Sequence, residues 1–277
     1  MTKILITGAG SYIGESFKRF IEENFDDQYS VDTIDMIDGG WRKKSFSLYD
    51  TVFHVAGIAH QKETKENAHL YYEVNRDLAV ETCKKAKSDG VQQFIFLSSM
   101  SVYGMDTGVI TKETLPHPKT NYGKSKLMAE QEMQSLADAS FKVCILRPPM
   151  VYGNGCRGNY QTVIRIVEKS PIFPRISNRR SMISIENLTA FVKMVADLQL
   201  SGVYFPQDKD YVCTMDMASN IAQAKGKRLY FSYLCGFGVM LFRPFVRKLQ
   251  KAFGSLIYSD TEDFDFSYCT SIKEDIE

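Results

Sequence analysis

Apolar residues follow two rhythms along this chain. Short runs rich in β-branched and aromatic residues, KILITG, SVDTID, TVFHVAG, QFIFLSS and FKVCILRP, have the length and continuity of strands covered on both faces. Between several of them, residues 13–24, 68–88 and 122–138 space their apolar positions as amphipathic helices do. Strand and helix in alternation predict an α/β fold with a doubly wound parallel sheet. The rhythm changes after RPPMVYG, where Gly and Asn cluster in GNGCRGN and Pro171 and Pro174 interrupt the next segment. Two domains are expected: one over 1–152 with returning elements near 181–206, and a smaller C-terminal lobe built from 153–180 and 207–277. A last run, LYFSYLCGFGVMLF at 229–242, is almost wholly apolar and precedes Arg243, Arg247, Lys248 and Lys251. It is shorter than the roughly 20 residues a spanning helix needs, so it predicts a helix packed on the smaller lobe, not a membrane anchor.

Composition narrows the picture without redirecting it. The chain has 277 residues, 44% hydrophobic and 24% charged, enough for one large core and a small lobe. A net charge of +1 gives no electrostatic case for nucleic acid. The six cysteines, Cys83, Cys144, Cys156, Cys213, Cys235 and Cys269, form no Cys-x-x-Cys pair. They predict reduced thiols, with neither a disulfide framework nor a metal site. The opening MTKILITGAG enters a strand at once and lacks the order of a signal peptide, which predicts a cytoplasmic protein.

Three stretches carry candidate chemistry. ILITGAGSYIGESFKRF reads as strand, tight turn and helix, the setting in which glycines let a backbone approach a pyrophosphate at a helix N-terminus. Gly8, Gly10 and Gly14 are present, with the third glycine one residue later than in G-x-G-x-x-G. Asp35 closes VDTID 21 residues beyond Gly14, where a carboxylate accepts from a ribose 2′-hydroxyl and repels a 2′-phosphate, favouring NAD. Asp32 and Asp38 compete for that role, and Arg42, Lys43 and Lys44 leave NADP open. In NYGKSK, Tyr122 and Lys126 stand one helical turn apart on one face, and a fixed ammonium lowers the pKa of a nearby phenol. FIFLSSMSVYG places Ser98 and Ser99 at the carboxyl end of a predicted strand, where such sheets bind ligands.

Taken in order, TGAGSYIG, VFHVAG, FIFLSSMSVYG, NYGKSK and LRPPMVYG resemble the extended short-chain dehydrogenase/reductases, the NAD-dependent epimerase/dehydratase family, over roughly residues 1 to 190. The resemblance implies a Rossmann-like NAD-binding domain and a substrate-binding lobe. It implies a catalytic triad of Ser99, Tyr122 and Lys126: Tyr122 exchanges a proton with a sugar hydroxyl, Ser99 bonds that oxygen, and Lys126 holds the cofactor ribose while lowering the phenol pKa. Ser99 is preferred to Ser98 because it lies three residues before Val102. The cofactor positions it implies are Gly8, Gly10, Ser11, Tyr12, Ile13, Gly14, Asp35, Ala56 and Gly57. Asn75 corresponds to a backbone-bonding asparagine, whereas His54 reads as a packed strand residue. Ser101, Asn159 and Arg180 are the implied substrate contacts, the arginine at the nucleotide diphosphate.

Departures from the family pattern shape the functional expectation. Ser11 replaces a glycine, the 38–50 connection is short and lacks an adenine-side acid, and Met150 stands where many epimerases carry an asparagine. With NRRSM, Met150 resembles the 4-keto sugar reductases. The implied reaction is hydride transfer at C4 of a nucleotide sugar: 4-epimerisation of a UDP-hexose or UDP-N-acetylhexosamine for surface polysaccharide, ahead of NAD(P)H-dependent reduction of a UDP-4-keto sugar. Dehydration ranks third, since SSMSVYG carries no extra carboxylate. A non-catalytic dinucleotide sensor is disfavoured by the intact triad. The resemblance also implies a homodimer.

Overall fold

The structure, a computed structural model, describes residues 1–59, 61, 63–156 and 158–259. Its first half runs β1 (Thr2–Thr7), α1 (Tyr12–Asn24), β2 (Tyr29–Ile34), β3 (Thr51–His54), α2 (Ala68–Tyr72), α3 (Ala79–Ser88), β4 (Gln93–Leu97), β5 (Gly108–Ile110), α4 (Asn121–Gln134) and β6 (Lys142–Leu146). The second half runs β7 (Met150–Tyr152), α5 (Asn159–Lys169), β8 (Ile172–Pro174), β9 (Met182–Ser184), α6 (Ile185–Asp197) and β10 (Gly202–Tyr204). It closes with α7 (Thr214–Ala224), β11 (Tyr230–Ser232), α8 (Tyr233–Phe242), α9 (Arg247–Phe253) and β12 (Leu256–Tyr258).

Contacts divide the chain into two units, one of residues 1–104, 116–148 and 188–206, the other of 105–115, 149–187 and 207–277. In the first, six parallel strands lie in the order β10-β6-β4-β3-β1-β2. The α/β expectation from the strand runs thus holds. Strand β3 is buried at all four positions, and Ile4, Leu5, Ile6, Phe94, Ile95 and Phe96 are buried on its neighbours, as a sheet covered on both faces requires. Because β2 and β3 flank β1 on opposite sides, the chain order reverses at β1, and the carboxyl ends of β1 and β3 border a topological switch point.

Helix α1 begins where Ser11 Oγ accepts the Gly14 N–H at 3.3 Å, and it turns Phe17 and Ile21 into the core. The expected helix over 68–88 is continuous but carries a π-helical turn at Glu73–Leu78. The helix at 122–138 stops at Gln134, because Asp138 Oδ1 accepts from Ser140 N–H at 2.8 Å and from Phe141 N–H at 3.0 Å and so stabilises a turn.

The second unit holds three two-stranded parallel pairs, β11 with β8, β12 with β5 and β7 with β9. Its grouping differs from the sequence boundaries at 105–115, 149–152 and 181–187. Here pairing outweighs chain continuity: β5 joins β12, and β7 joins β9. The run at 229–242 forms β11 and α8, and α8 packs on β8 of this unit. Gly236 is its buried residue: a Cβ there would lie 2.4 Å from the Arg175 carbonyl oxygen, so the helix backbone sits directly on that segment. The bulky side chains of α8 consequently point outward, and Leu234 is 81% and Phe237 66% exposed. No helix among the described residues is long and apolar enough to cross a membrane. Cys83, Cys144, Cys156, Cys213 and Cys235 are free thiols, and Cys269 lies outside the described residues.

Candidate active site

The glycine turn leaves β1 at the switch point. Gly8 has φ +112°, and a Cβ there would lie 2.9 Å from the backbone of Ala56, so this position needs glycine both for its conformation and for its approach to the segment after β3. Its N–H donates to the Ile34 carbonyl at 2.9 Å, which fixes the turn against the end of β2. Gly10 has φ +75° with open space above it, and its N–H donates to Glu15 Oε1 at 2.9 Å. Gly14 packs α1 onto the sheet, with Ile6 and Val55 about its Cα. Ser11 spends its hydroxyl on the helix cap, and Tyr12 and Ile13 form the first turn of α1.

Asp35 follows directly on Ile34 and is exposed, with Oδ1 accepting from the Ile37 N–H at 2.9 Å. Its rivals are engaged elsewhere. Asp32 accepts from the Tyr49 hydroxyl at 2.9 Å, and Asp38 from the Gly40 N–H at 2.9 Å. Arg42 forks onto Glu81 through Nε and Nη2, both at 2.5 Å, and lies over the Trp41 ring. Across the switch point, a Cβ on Gly57 would meet Asn75 Oδ1 at 2.9 Å and Lys126 Nζ at 3.5 Å. The open space above Gly10 in the turn after β1, and the exposed Asp35 after β2, fit a dinucleotide at the carboxyl end of the sheet.

The two serines after β4 have different jobs. Ser98 is buried and donates to the Glu130 carboxylate, which also takes Arg147 Nη2 at 2.5 Å and Nε at 3.2 Å. Arg147 Nη1 continues to the Tyr103 hydroxyl at 2.8 Å. This buried pair was missed by sequence reasoning. Its signal was an acid one turn beyond Lys126 on the same face of α4. Ser99 instead accepts from the Ser101 N–H at 3.1 Å and the Ser101 hydroxyl at 3.0 Å. That leaves its own proton for the Tyr122 oxygen, with which it is hydrogen-bonded. Ser101, Ser99 and Tyr122 thus form one chain of hydroxyls, in which Ser101 points at Ser99.

Tyr122 and Lys126 lie on α4, which starts at Thr120, whose Oγ1 accepts the Gly123 N–H at 3.1 Å. A Cβ on Gly123 would come within 2.7 Å of the Ser101 carbonyl oxygen, so the missing side chain lets the helix approach the serine segment. Lys126 is buried; its Nζ donates to the Leu97 carbonyl at 2.8 Å and lies 4.4 Å from the centre of the Phe96 ring. Burial lowers its pKa from 10.5 to about 7, against the pull of Glu130. The expectation that this ammonium holds the phenol pKa down is corrected. Burial pushes the Tyr122 phenol up, Ser99 draws it back, and Tyr71 adds to the rise; the amine is turned to the Leu97 carbonyl. Asn75, in the π-helical turn, accepts from the Ile58 N–H at 2.7 Å, donates to the Ile58 carbonyl at 3.0 Å and reaches Ser125 Oγ at 3.4 Å. It holds the chain beyond Gly57 in place. His54 is a packed strand residue: its ring is stacked on Phe94, Nδ1 shares a 2.7 Å hydrogen bond with Thr7, and burial lowers its pKa to about 3.

The remaining substrate candidates belong to the second unit. Arg180 is half-buried, its Nη1 donates to the Gly254 carbonyl at 2.8 Å, and burial lowers its pKa against the pull of Asp106. Met150 opens β7. Asn159 starts α5, and its side chain lies outside the described residues. Within this unit a cleft of about 600 Å³ is lined by Arg179, Arg243, Gln250 and Ser255 together with the strand segment 107–109.

Residues 4–197 match the model of the NAD dependent epimerase/dehydratase family. The chain belongs to this family. Among curated members, a UDP-glucose 4-epimerase of Vibrio cholerae is 36% identical over 187 residues, covering 64% of this chain and 57% of its own length. The N-acetyl-alpha-D-glucosaminyl-diphospho-ditrans,octacis-undecaprenol 4-epimerase of Escherichia coli O157:H7 is 26% identical over 245 residues, covering 82% of this chain and 73% of its own. The chain thus spans a little over half the length of the Vibrio relative. The UDP-glucuronic acid 4-epimerase of Bacillus cereus, solved in complex with NAD, superposes with a TM-score of 0.74 at 20% identity, over 99% of this chain and 96% of that one. It shares the epimerase/dehydratase fold.

Proposed function

We propose that this protein is an NAD-dependent 4-epimerase of a UDP-hexose or UDP-N-acetylhexosamine, and that Ser99, Tyr122 and Lys126 carry the reaction. The observation that supports this most is the hydroxyl chain from Ser101 through Ser99 to Tyr122, set beside a buried amine at the carboxyl edge of the sheet. The relatives named as 4-epimerases support the same reading. Bound NAD supplies the hydride acceptor and donor for the sugar C4. The protein's own groups manage the proton. Tyr122 takes the proton of the C4 hydroxyl and returns it, and the Ser99 hydrogen bond favours the phenolate against the cost of burial. The open space at Gly10 receives the dinucleotide, Asp35 accepts from its ribose in preference to a 2′-phosphate, and Lys126 leaves the Leu97 carbonyl for the other ribose. In the second unit, Arg180 and Asn159 are the proposed contacts of the nucleotide diphosphate.

The test is to identify the dinucleotide that remains with the purified protein, then to supply UDP-hexoses and 4-keto UDP-sugars. Retained NAD with inversion at C4 supports epimerisation. Steady consumption of added NADH or NADPH without inversion assigns 4-keto reduction and overturns it. A second carrier for the hexose, a polyprenyl diphosphate such as the name of the Escherichia coli relative states for that protein, is favoured by the outward apolar face of α8. It is distinguished by offering the same hexose on each carrier.

A further inference from the structure

The outer face of α8 takes no part in the proton chemistry at Tyr122, and its composition is specific. Helix α8 carries no charged residue, and among its residues only Gly236 is buried. Leu234, Phe237, Met240, Leu241 and Phe242 are exposed, and Phe245, in the turn that follows, is 84% exposed. Six large apolar side chains presented together on one ten-residue helix and its exit turn form a patch that an isolated domain does not leave in water without a partner. The surrounding sequence is basic, and within the unit Asp106 pairs with Arg247 at 2.8 Å and Glu168 with Lys225 at 2.7 Å. No aspartate or glutamate occurs between Asp216 and Asp260, whereas Lys225, Lys227, Arg228, Arg243, Arg247 and Lys251 all fall within that span. Arg243 follows directly on α8 and donates through Nη1 to the Phe253 carbonyl at 3.2 Å, Lys251 is exposed on α9, and Arg243 and Gln250 line the adjoining cleft with Arg179. Tyr233 stands at the start of α8, its ring 4.5 Å beneath the Arg175 guanidinium.

We propose that α8 and the turn through Phe245 form a monotopic docking surface that seats this protein on a bilayer containing anionic lipid. A ten-residue helix is about 15 Å long, half the roughly 30 Å hydrocarbon core, so it lies in the interface and does not cross. An apolar helix face with basic residues and tyrosine at its margin is the composition such a site requires: apolar groups enter the acyl boundary while arginine and lysine meet headgroup phosphates. A second copy is a poorer occupant. A two-fold contact through this face brings two basic margins, each carrying Arg243, against one another, an unfavourable pairing of like charges. The acidic segment 260–277 is the remaining competitor. This inference stands whichever sugar carrier is used.

The experiment is sedimentation of the full chain with vesicles of phosphatidylethanolamine and about one quarter phosphatidylglycerol, beside neutral phosphatidylcholine vesicles. The protein pellets with the anionic vesicles, and the double variant Leu234→Gln, Phe237→Gln binds at least about tenfold more weakly. Both positions are exposed, so the variant keeps its fold and its rate on a soluble UDP-sugar, which separates this result from any failure of the epimerase reading. Lys251→Gln weakens binding to the anionic vesicles specifically. Wild-type protein that stays in the supernatant overturns the proposal, as does equal binding by the double variant. Binding that appears only after removal of 260–277 means that this segment covers the face, and a dimer that the double variant dissociates, with no vesicle binding, means a second copy does; either result also overturns it.

Discussion

Replacing Lys126 by methionine is expected to make the cofactor-free protein more stable, not less. The amine is 4% exposed and has the Leu97 carbonyl and the Phe96 ring as its close neighbours. In the unfolded chain it titrates at its ordinary 10.5, and in the folded chain at about 7. Between those values the unfolded chain binds the extra proton, so wild-type stability rises as the pH climbs from about 7 to about 10.5. Below about pH 7 both states are protonated, and the whole cost of the buried charge is present, about 5 kcal/mol for this gap. Lys126→Met keeps the length of the side chain and removes the charge. Urea unfolding after removal of any bound dinucleotide is expected to show the variant more stable by several kcal/mol near pH ~6, with the advantage shrinking to about 1 to 2 kcal/mol near pH ~9.5. The same variant loses its grip on the dinucleotide ribose, a trade of function for stability. A variant less stable than wild type across this range, or an advantage that does not change with pH, refutes the reasoning.

Tyr122→Phe removes the hydroxyl while leaving the ring against Tyr71; C4 inversion falls by about 10² to 10⁴, and a dinucleotide titration gives an unchanged affinity. Gly8→Ala forces an L side chain to φ +112° and into the Ala56 backbone, which costs about 1 to 3 kcal/mol and empties the site of dinucleotide; the melting temperature and the absorbance of released cofactor report the two effects. Glu130→Gln leaves the Arg147 guanidinium buried without its counter-ion and lowers stability by about 3 to 5 kcal/mol, read from the urea midpoint.

The parts of the molecule legible in the sequence are those where one local rule decides the outcome. Buried parallel strands show as unbroken apolar runs, and the turn at Gly8 and Gly10 shows because a strand, small residues and a helix follow one another without a gap. Tyr122 and Lys126 share a face because helical spacing makes them do so. Features set by distant partners were hidden. Nothing near Glu130 announces Arg147, which arrives from the end of another strand. The three-residue strands β5 and β7 are too short to display a pattern, so their pairing with β12 and β9 moved residues 105–115 and 149–152 to the second unit. The apolar run at 229–242 was expected to pack on the smaller lobe, but hydrophobicity along a sequence does not say which face is covered. Gly236 decides that, by seating the helix backbone on Arg175 and turning the large side chains away. The pKa of Tyr122 likewise depends on where the Lys126 amine points, and it points to a carbonyl.

The most direct test of the central claim uses a UDP-hexose carrying deuterium at C4, incubated with the purified protein and no added cofactor. The account predicts that C4 inverts with the deuterium still on that carbon, and that Tyr122→Phe slows the inversion by about 10² to 10⁴. Loss of deuterium to solvent during inversion, or undiminished inversion by the Tyr122→Phe protein, would contradict it.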